Sequence, residues 1–229
     1  MKRNAPTILA LLLLVLTATA FAVTQRLKLE PSPISRTRVD SVFSPVCRCP
    51  SKVASIEFSL RKADQLRVAI RTDSGEVTIA QGSFPRGDVH VRWDGRNAGG
   101  ELLPDGVYFP LVHLQRAGRT IDLPNPIRVD TVAPSIRFTS LRPRAFTPGV
   151  VKLKATYTVS EHAHALLFVD GRRRVLTASK RLHGRLQWSG KVAGRPIRPG
   201  RHKLKLVAED LAGNRSAPTP VVVVRVRRP

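Results

Sequence analysis

Cys47 and Cys49 are the only cysteines of the chain and stand two positions apart. In an oxidising compartment three fates compete for them: a local disulfide, a bridge to another chain, or a pair of soft-metal ligands. A disulfide needs Cα atoms about 4.4–6.8 Å apart, and an extended i to i+2 pair spans roughly 6.6 Å, so the backbone must bend to close one. Pro45 and Pro50 flank the pair and favour that bend. We place the local bridge first, as a pin for a loop at the base of a domain; two thiolates do not complete a zinc site.

The other groups with chemical potential form no constellation. Of six histidines only His162 and His164 are close, and no Asp, Glu or Cys at ligand spacing joins them. Asp94, Asn97 and Asp105 could ligate calcium, yet each sits where turn geometry alone favours it. The chain has no Gly-x-Ser-x-Gly elbow, no His-Glu-x-x-His and no glycine-rich loop opening a helix. A non-enzyme without catalytic residues, metal or cofactor is the reading that follows.

Charge is the strongest compositional signal: 39 Lys and Arg against 16 Asp and Glu, a formal net of +23. Residues 1–40 hold six basic and two acidic groups, residues 41–136 twelve and ten, and residues 137–229 twenty-one and four, so the field belongs to the last third. Such a field attracts polyanions. Lys152, Lys154, Lys203 and Lys205 fall on outward positions of two expected strands and would form one basic face if those strands were neighbours; Arg172, Arg173 and Arg174 would extend it from a turn. The competing reading is an ordinary solvated surface. Specific nucleic-acid binding is not expected, because aromatics are 5% of the chain and sit at core-phase positions.

The elements that must position these groups are strands. Eighteen prolines, fifteen glycines and no amphipathic helical run point to many short strands joined by turns. Residues 54–60, 66–71, 89–93, 151–159 and 203–208 alternate apolar with polar, the mark of a half-buried strand, and a return strand is expected over 107–115. Pro110 cannot donate to a ladder, which predicts an edge or a bulge there. The stretch from Trp93 to Tyr108 reads as a β-hairpin, with glycine-rich turns and the corner Pro104-Asp105-Gly106. It recurs in worn form from Trp188 to Gly200, and the step from Trp to Pro is eleven in both copies. An internal repeat follows. About seven strands in about ninety residues suit an immunoglobulin-like sandwich, with Trp93, Tyr108 and Trp188 in the core.

Phe43-Ser44-Pro45, Trp93-Asp94-Gly95-Arg96 and Pro104-Asp105-Gly106-Val107-Tyr108 resemble the immunoglobulin-like domain of the flagellar hook-capping protein, over most of residues 43–128. Cys47-Arg48-Cys49 replaces the Asn-Gly-Asp-Gly turn common in that family, and a flagellar role does not come with the fold. The junction Val129–Pro134 and the turn Glu209–Asn214 resemble those of bacterial immunoglobulin-like arrays.

Ala5–Thr24 is uncharged and follows Lys2 and Arg3, which predicts an N-terminal transmembrane helix with the C-terminal domains outside the plasma membrane. A cleaved signal peptide and secretion is the alternative, since Ala18–Ala20 and Ala20–Ala22 offer cleavage sites. The expected layout is an anchor or signal over 1–24, an extended linker over 25–42 and two tandem immunoglobulin-like β-sandwiches over 43–130 and 131–229. The expected role is that of a membrane-anchored structural or interaction protein. Its partners would be an anionic cell-wall polymer or lipid headgroups met by the second domain, or another envelope protein that uses the chain as an adaptor or accessory subunit.

Overall fold

The computed structural model describes residues 11–21, 31–177 and 181–228. Residues 11–21 are helical, and among the described residues no helix is long and apolar enough to cross a membrane. Residues 5–10 and 22–24 of the expected anchor lie outside the described residues.

Among the described residues after residue 30 the regular structure is strands, apart from a single 3-10 turn at Pro50–Lys52. In the first domain β1 (Ile34–Val39), β3 (Ala54–Leu60) and β6 (Gly87–Trp93) form one antiparallel sheet in the order β1-β3-β6. The facing sheet runs β2 (Val42–Phe43), β9 (Ile127–Val129), β7 (Gly106–Leu114), β4 (Asp64–Thr72), β5 (Gly75–Phe84), with β8 (Arg119–Asp122) also on β7. The second domain repeats this arrangement, except that among the described residues β8 has no counterpart and a two-stranded ribbon of β16 (Lys191–Val192) and β17 (Arg195–Pro196) is added. β10 (Ile136–Arg142), β12 (Leu153–Val159) and β15 (His183–Trp188) make its smaller sheet. β11 (Ala145–Phe146), β19 (Val222–Val226), β18 (Gly200–Glu209), β13 (His164–Val169) and β14 (Arg172–Leu176) make the larger. β2 on β9 and β11 on β19 are the matching parallel pairs.

Alternation produces the two cores. Ala54, Ile56 and Phe58 on β3, Val89, Val91 and Trp93 on β6 and Leu66, Val68 and Ile70 on β4 are all buried in one cluster. Leu153, Ala155 and Tyr157 on β12, Leu186 and Trp188 on β15 and Leu204, Leu206 and Ala208 on β18 close the second. Each tryptophan packs against the phenylalanine that opens its domain: Phe43–Trp93 centroids are 5.4 Å apart and Phe146–Trp188 6.0 Å. Tilted pairs like these contribute about 0.5–1.5 kcal/mol beyond area burial. Trp93 also meets Tyr108 edge-on at 5.4 Å.

Three expectations are corrected. The stretch from Trp93 to Tyr108 is not a hairpin, because β6 and β7 belong to opposite sheets; it is an arch that crosses the sandwich, and within it only Arg96 and Leu102 form a bridge. Residues 25–42 are not wholly a linker, since β1 pairs with β3 and buries Ile34 and Val39. Those anchors lie five positions apart across a bulge between Ser35 and Arg38, so no period-two pattern marks the strand. Pro110 is neither on an edge strand nor at a bulge: β7 runs between β4 on one side and β9 then β8 on the other. Its carbonyl accepts from Leu123 N–H at 2.9 Å, so its missing donor points to the same side, at the gap where one partner strand gives way to the next.

Candidate functional site

Two regions carry the groups singled out from sequence: the joint between the domains and the surface of the second domain.

At the joint, Cys47 and Cys49 are disulfide-bonded with Cα atoms 5.3 Å apart, and the turn after Pro45 supplies the bend. The bridge reaches the second domain. Cys49 Sγ lies 3.9 Å from the Ala212 carbonyl oxygen, and a Cβ built on Gly213 would stand 2.5 Å from that sulfur. Gly213 has φ +95°, a conformation that side chains rarely adopt, so glycine is required twice over. Its turn is tied by Asp210, which is buried and accepts from Gly213 N–H at 2.7 Å and Asn214 N–H at 2.9 Å. The Asn214 amide in turn donates to the carbonyl of Asp130 at 2.8 Å, holding the linker to the second domain. From the other side Asp105 accepts from Thr131 N–H at 3.0 Å and holds it to the first.

The sequence did not single out Asp130, Glu161 and Asp210 as a group, yet their carboxylate oxygens lie within 4.8 Å of one another here. They are far apart along the chain, and only the fold brings them together. Burial, then the charges of Asp210 and Asp130, push the Glu161 carboxyl above its ordinary range, while Arg128 works against them. Three carboxylates are the donor type a hard divalent cation takes. Arg128 already supplies a counter-charge, pairing with Asp130 at 3.0 Å, and we assign the trio a structural part in the joint. Asp94 and Asn97 accept from local backbone N–H groups of Arg96, Gly99 and Glu101, as turn residues do.

On the second domain the single basic face expected from Lys152, Lys154, Lys203 and Lys205 does not form. β12 and β18 lie in opposite sheets, so Lys154, with Lys152 just before it, and the Lys203–Lys205 pair point away from each other. Register groups the cations differently. Phe168 pairs with both Lys205 and Arg173, which puts those two on one outer face, and Lys205 Nζ stands 5.9 Å from the Phe168 ring centroid. Arg172 flanks the Asp170-Gly171 turn, and Arg174 is half-buried with its Nε lacking a hydrogen-bond partner. Asp170 accepts from Lys203 N–H at 2.9 Å and meets His202 Nδ1 at 2.6 Å. Burial raises the Asp170 carboxyl, but the hydrogen bonds from His202 and Lys203 and the charges of His202 and Arg174 outweigh it and hold it below its ordinary range. His164 Nδ1 lies 2.6 Å from the carbonyl oxygen of Thr177, just past the end of β14, while His162 lies in the bend before β13.

The two arches repeat in detail. Trp93 Nε1–H donates to the Arg96 carbonyl at 3.1 Å and Trp188 Nε1–H to the Lys191 carbonyl at 3.2 Å. Gly95 (φ +80°) lies against Phe43 and Pro45, and Gly190 (φ +76°) against Phe146 and Pro148. Fold and repeat together define a tandem pair of immunoglobulin-like sandwiches.

Residues 51–115 match the FlgD Ig-like domain family, and the first domain carries that resemblance. No curated protein sequence matches the chain. Among solved structures, the chain is similar to the fibronectin(III)-like modules of Clostridium thermocellum CbhA (17% identity, 85% of this chain and 93% of that one, TM-score 0.47). It is also similar to a Ca2+-stabilized, ice-binding adhesin of an Antarctic bacterium (13%, 83% and 48%, TM-score 0.33) and to the human OSCAR ligand-binding domain (10%, 83% and 96%, TM-score 0.37).

Proposed function

We propose that this protein is an extracytoplasmic structural and interaction module, tethered to the membrane through the uncharged segment Ala5–Thr24, whose second domain contacts anionic polymers of the envelope. The observation that carries the reading is the charge partition between two copies of one fold: twelve basic and ten acidic residues over 41–136, against twenty-one and four over 137–229. A shared scaffold does not require that asymmetry. A long-range field raises the local concentration of a polyanion and speeds encounter. The Cys47–Cys49 disulfide suits an oxidising compartment.

The test uses the intact protein on wall material carrying teichoic acid, the same material stripped of it, and vesicles rich in anionic lipid. Retention at low salt that falls steeply as ionic strength rises is expected. No retention on any of the three at low salt contradicts the reading. Carbonate extraction and N-terminal sequencing of the cellular protein test the tether.

A second reading, an adaptor that docks another envelope protein by strand addition, is supported by β5, a ten-residue strand bonded in its sheet only to β4. Partners that remain bound at high salt distinguish it.

A further inference from the structure

We infer that the outer face of β10-β12-β15 is a binding surface for a carboxylate-bearing polysaccharide. The inference rests on the reading that the second domain meets polyanions, and it assigns the face and the ligand class.

The internal repeat provides the control. In the first domain the equivalent face, β1-β3-β6, sets two acids among its cations: Arg36 pairs with Asp88 at 3.3 Å and His90 faces Glu57 at 3.7 Å, while Arg38 and Arg92 are exposed on the same face. Aligning the tryptophan rows, Ala54↔Trp93 with Leu153↔Trp188, puts Thr156 where Glu57 stands, His183 where Asp88 stands and Arg185 where His90 stands. Both acids are gone from the second copy; Lys154 and Arg185 stand where Ser55 and His90 stand in the first, and Gln187 replaces Arg92.

The remaining residues complete the surface. Arg142 pairs across to Lys154, and Thr156 to Arg185, so three cations occupy adjoining positions on three neighbouring strands. Strands lie about 4.8 Å apart and same-face residues about 6.8 Å apart along a strand, so the positions form a close, flat grid. Arg137 adds a fourth cation, its Nε–H donating to Thr158 Oγ1 at 2.8 Å. Among the described residues none of these four cations is ion-paired. All four acids of the second domain lie off the face: Asp170 is in the β13–β14 turn with His202, Glu209 pairs with Arg215 at 2.6 Å, and Glu161 and Asp210 are at the joint.

The chemistry between the cations selects the ligand. Hydroxyls of Thr139, Ser140, Thr156 and Thr158 and the Gln187 amide can exchange hydrogen bonds with sugar hydroxyls, while guanidinium groups take carboxylates in two-point contact. Among the described residues of β10, β12 and β15 no exposed aromatic offers a base a stacking platform, and no exposed large apolar side chain stands ready to enter a bilayer.

The test measures binding of the full chain to soluble polygalacturonate, with neutral dextran as control. Arg142→Gln/Lys154→Gln/Arg185→Gln is compared with Arg173→Gln/Arg201→Gln/Lys203→Gln, which removes the same charge from the opposite sheet. The first variant is expected to weaken binding about tenfold or more and the second no more than about threefold. Glu57→Thr/Asp88→His, which removes the acids from the first-domain face, is expected to strengthen it. Equal losses in the two triple variants, or a larger loss in the second, overturn the assignment of the face. A wild-type chain that ignores polygalacturonate but binds teichoic-acid-bearing wall or anionic vesicles overturns the ligand class while the parent reading stands. Binding to none of these overturns both.

Discussion

Cys49 of the first domain and Gly213 of the second meet so closely that a Cβ on Gly213 would lie 2.5 Å from the Cys49 sulfur. Together with the Asn214 hold on the linker carbonyls, the contact fixes where the closing turn of one sandwich sits on the opening loop of the other.

Gly213→Ala is therefore expected to destabilise the protein by about 1–3 kcal/mol, from left-handed backbone strain and the steric conflict together. Cys49→Ala removes the sulfur, and with it the bridge to Cys47, so in that background Gly213→Ala meets the backbone strain without the 2.5 Å conflict. A double-mutant cycle read by urea unfolding should show the Gly213→Ala penalty reduced in the Cys49→Ala background. Additive penalties would mean that the contact carries no energy.

Gly190→Ala should cost more than Gly95→Ala. Both glycines have positive φ, but the added Cβ would meet Phe146 at 2.7 Å in the second domain and only Pro45 at 3.2 Å and Phe43 at 3.3 Å in the first. About 1 kcal/mol of backbone strain is common to both, so the difference reports packing beneath the tryptophan. Urea midpoints of the two variants measure it.

Asp64 is buried, and its carboxylate accepts from the N–H groups of Gln65, Arg116 and Ala117 at 2.7, 2.8 and 3.1 Å. Asp64→Ala leaves those donors without the partner that ties β4 to the turn after β7. A loss of about 2–3 kcal/mol is expected, with Asp64→Asn intermediate.

The two displaced carboxyls act with opposite sign on pH dependence. Glu161 has a raised pKa, so the native state holds its proton more tightly than the unfolded chain. The stability this contributes is present in acid and is lost as pH climbs from the ordinary glutamate range through the folded value. Asp170 has a lowered pKa, and its contribution is present above the ordinary aspartate range and lost as pH falls through the folded value. Urea midpoints across pH should lose their alkaline decline at this step in Glu161→Gln and part of their acid decline in Asp170→Asn.

Much of the fold was legible because alternation is a local property. The strands around Ile56, Val68, Val91 and Leu153 follow from period-two patterns, and the repeat follows from the matched spacing of Trp93–Pro104 and Trp188–Pro199. What was not legible depends on which strand lies beside which. The glycine-rich run after Trp93 has the composition of a hairpin, yet the same turn residues serve an arch when the following strand joins the other sheet. β1 escaped notice because its bulge breaks the alternation. The lysines of β12 and β18 are alike in sequence and opposite in space, and no local pattern records that. The bridge between Cys47 and Cys49 was the first of three fates from spacing alone, but its seat on Gly213, 164 positions beyond Cys49, was not readable.

The central claim is that one sandwich has been used twice, with Trp93 and Trp188 in equivalent berths. Hydrogen exchange of the two indole N–H groups, followed by nuclear magnetic resonance on the intact chain, tests it most directly. Both indoles are buried and donate to the carbonyl three residues ahead, so two resolved signals should be protected, each exchanging only on unfolding of its own domain. One protected indole beside one that exchanges at the rate of a solvent-exposed side chain would contradict the account.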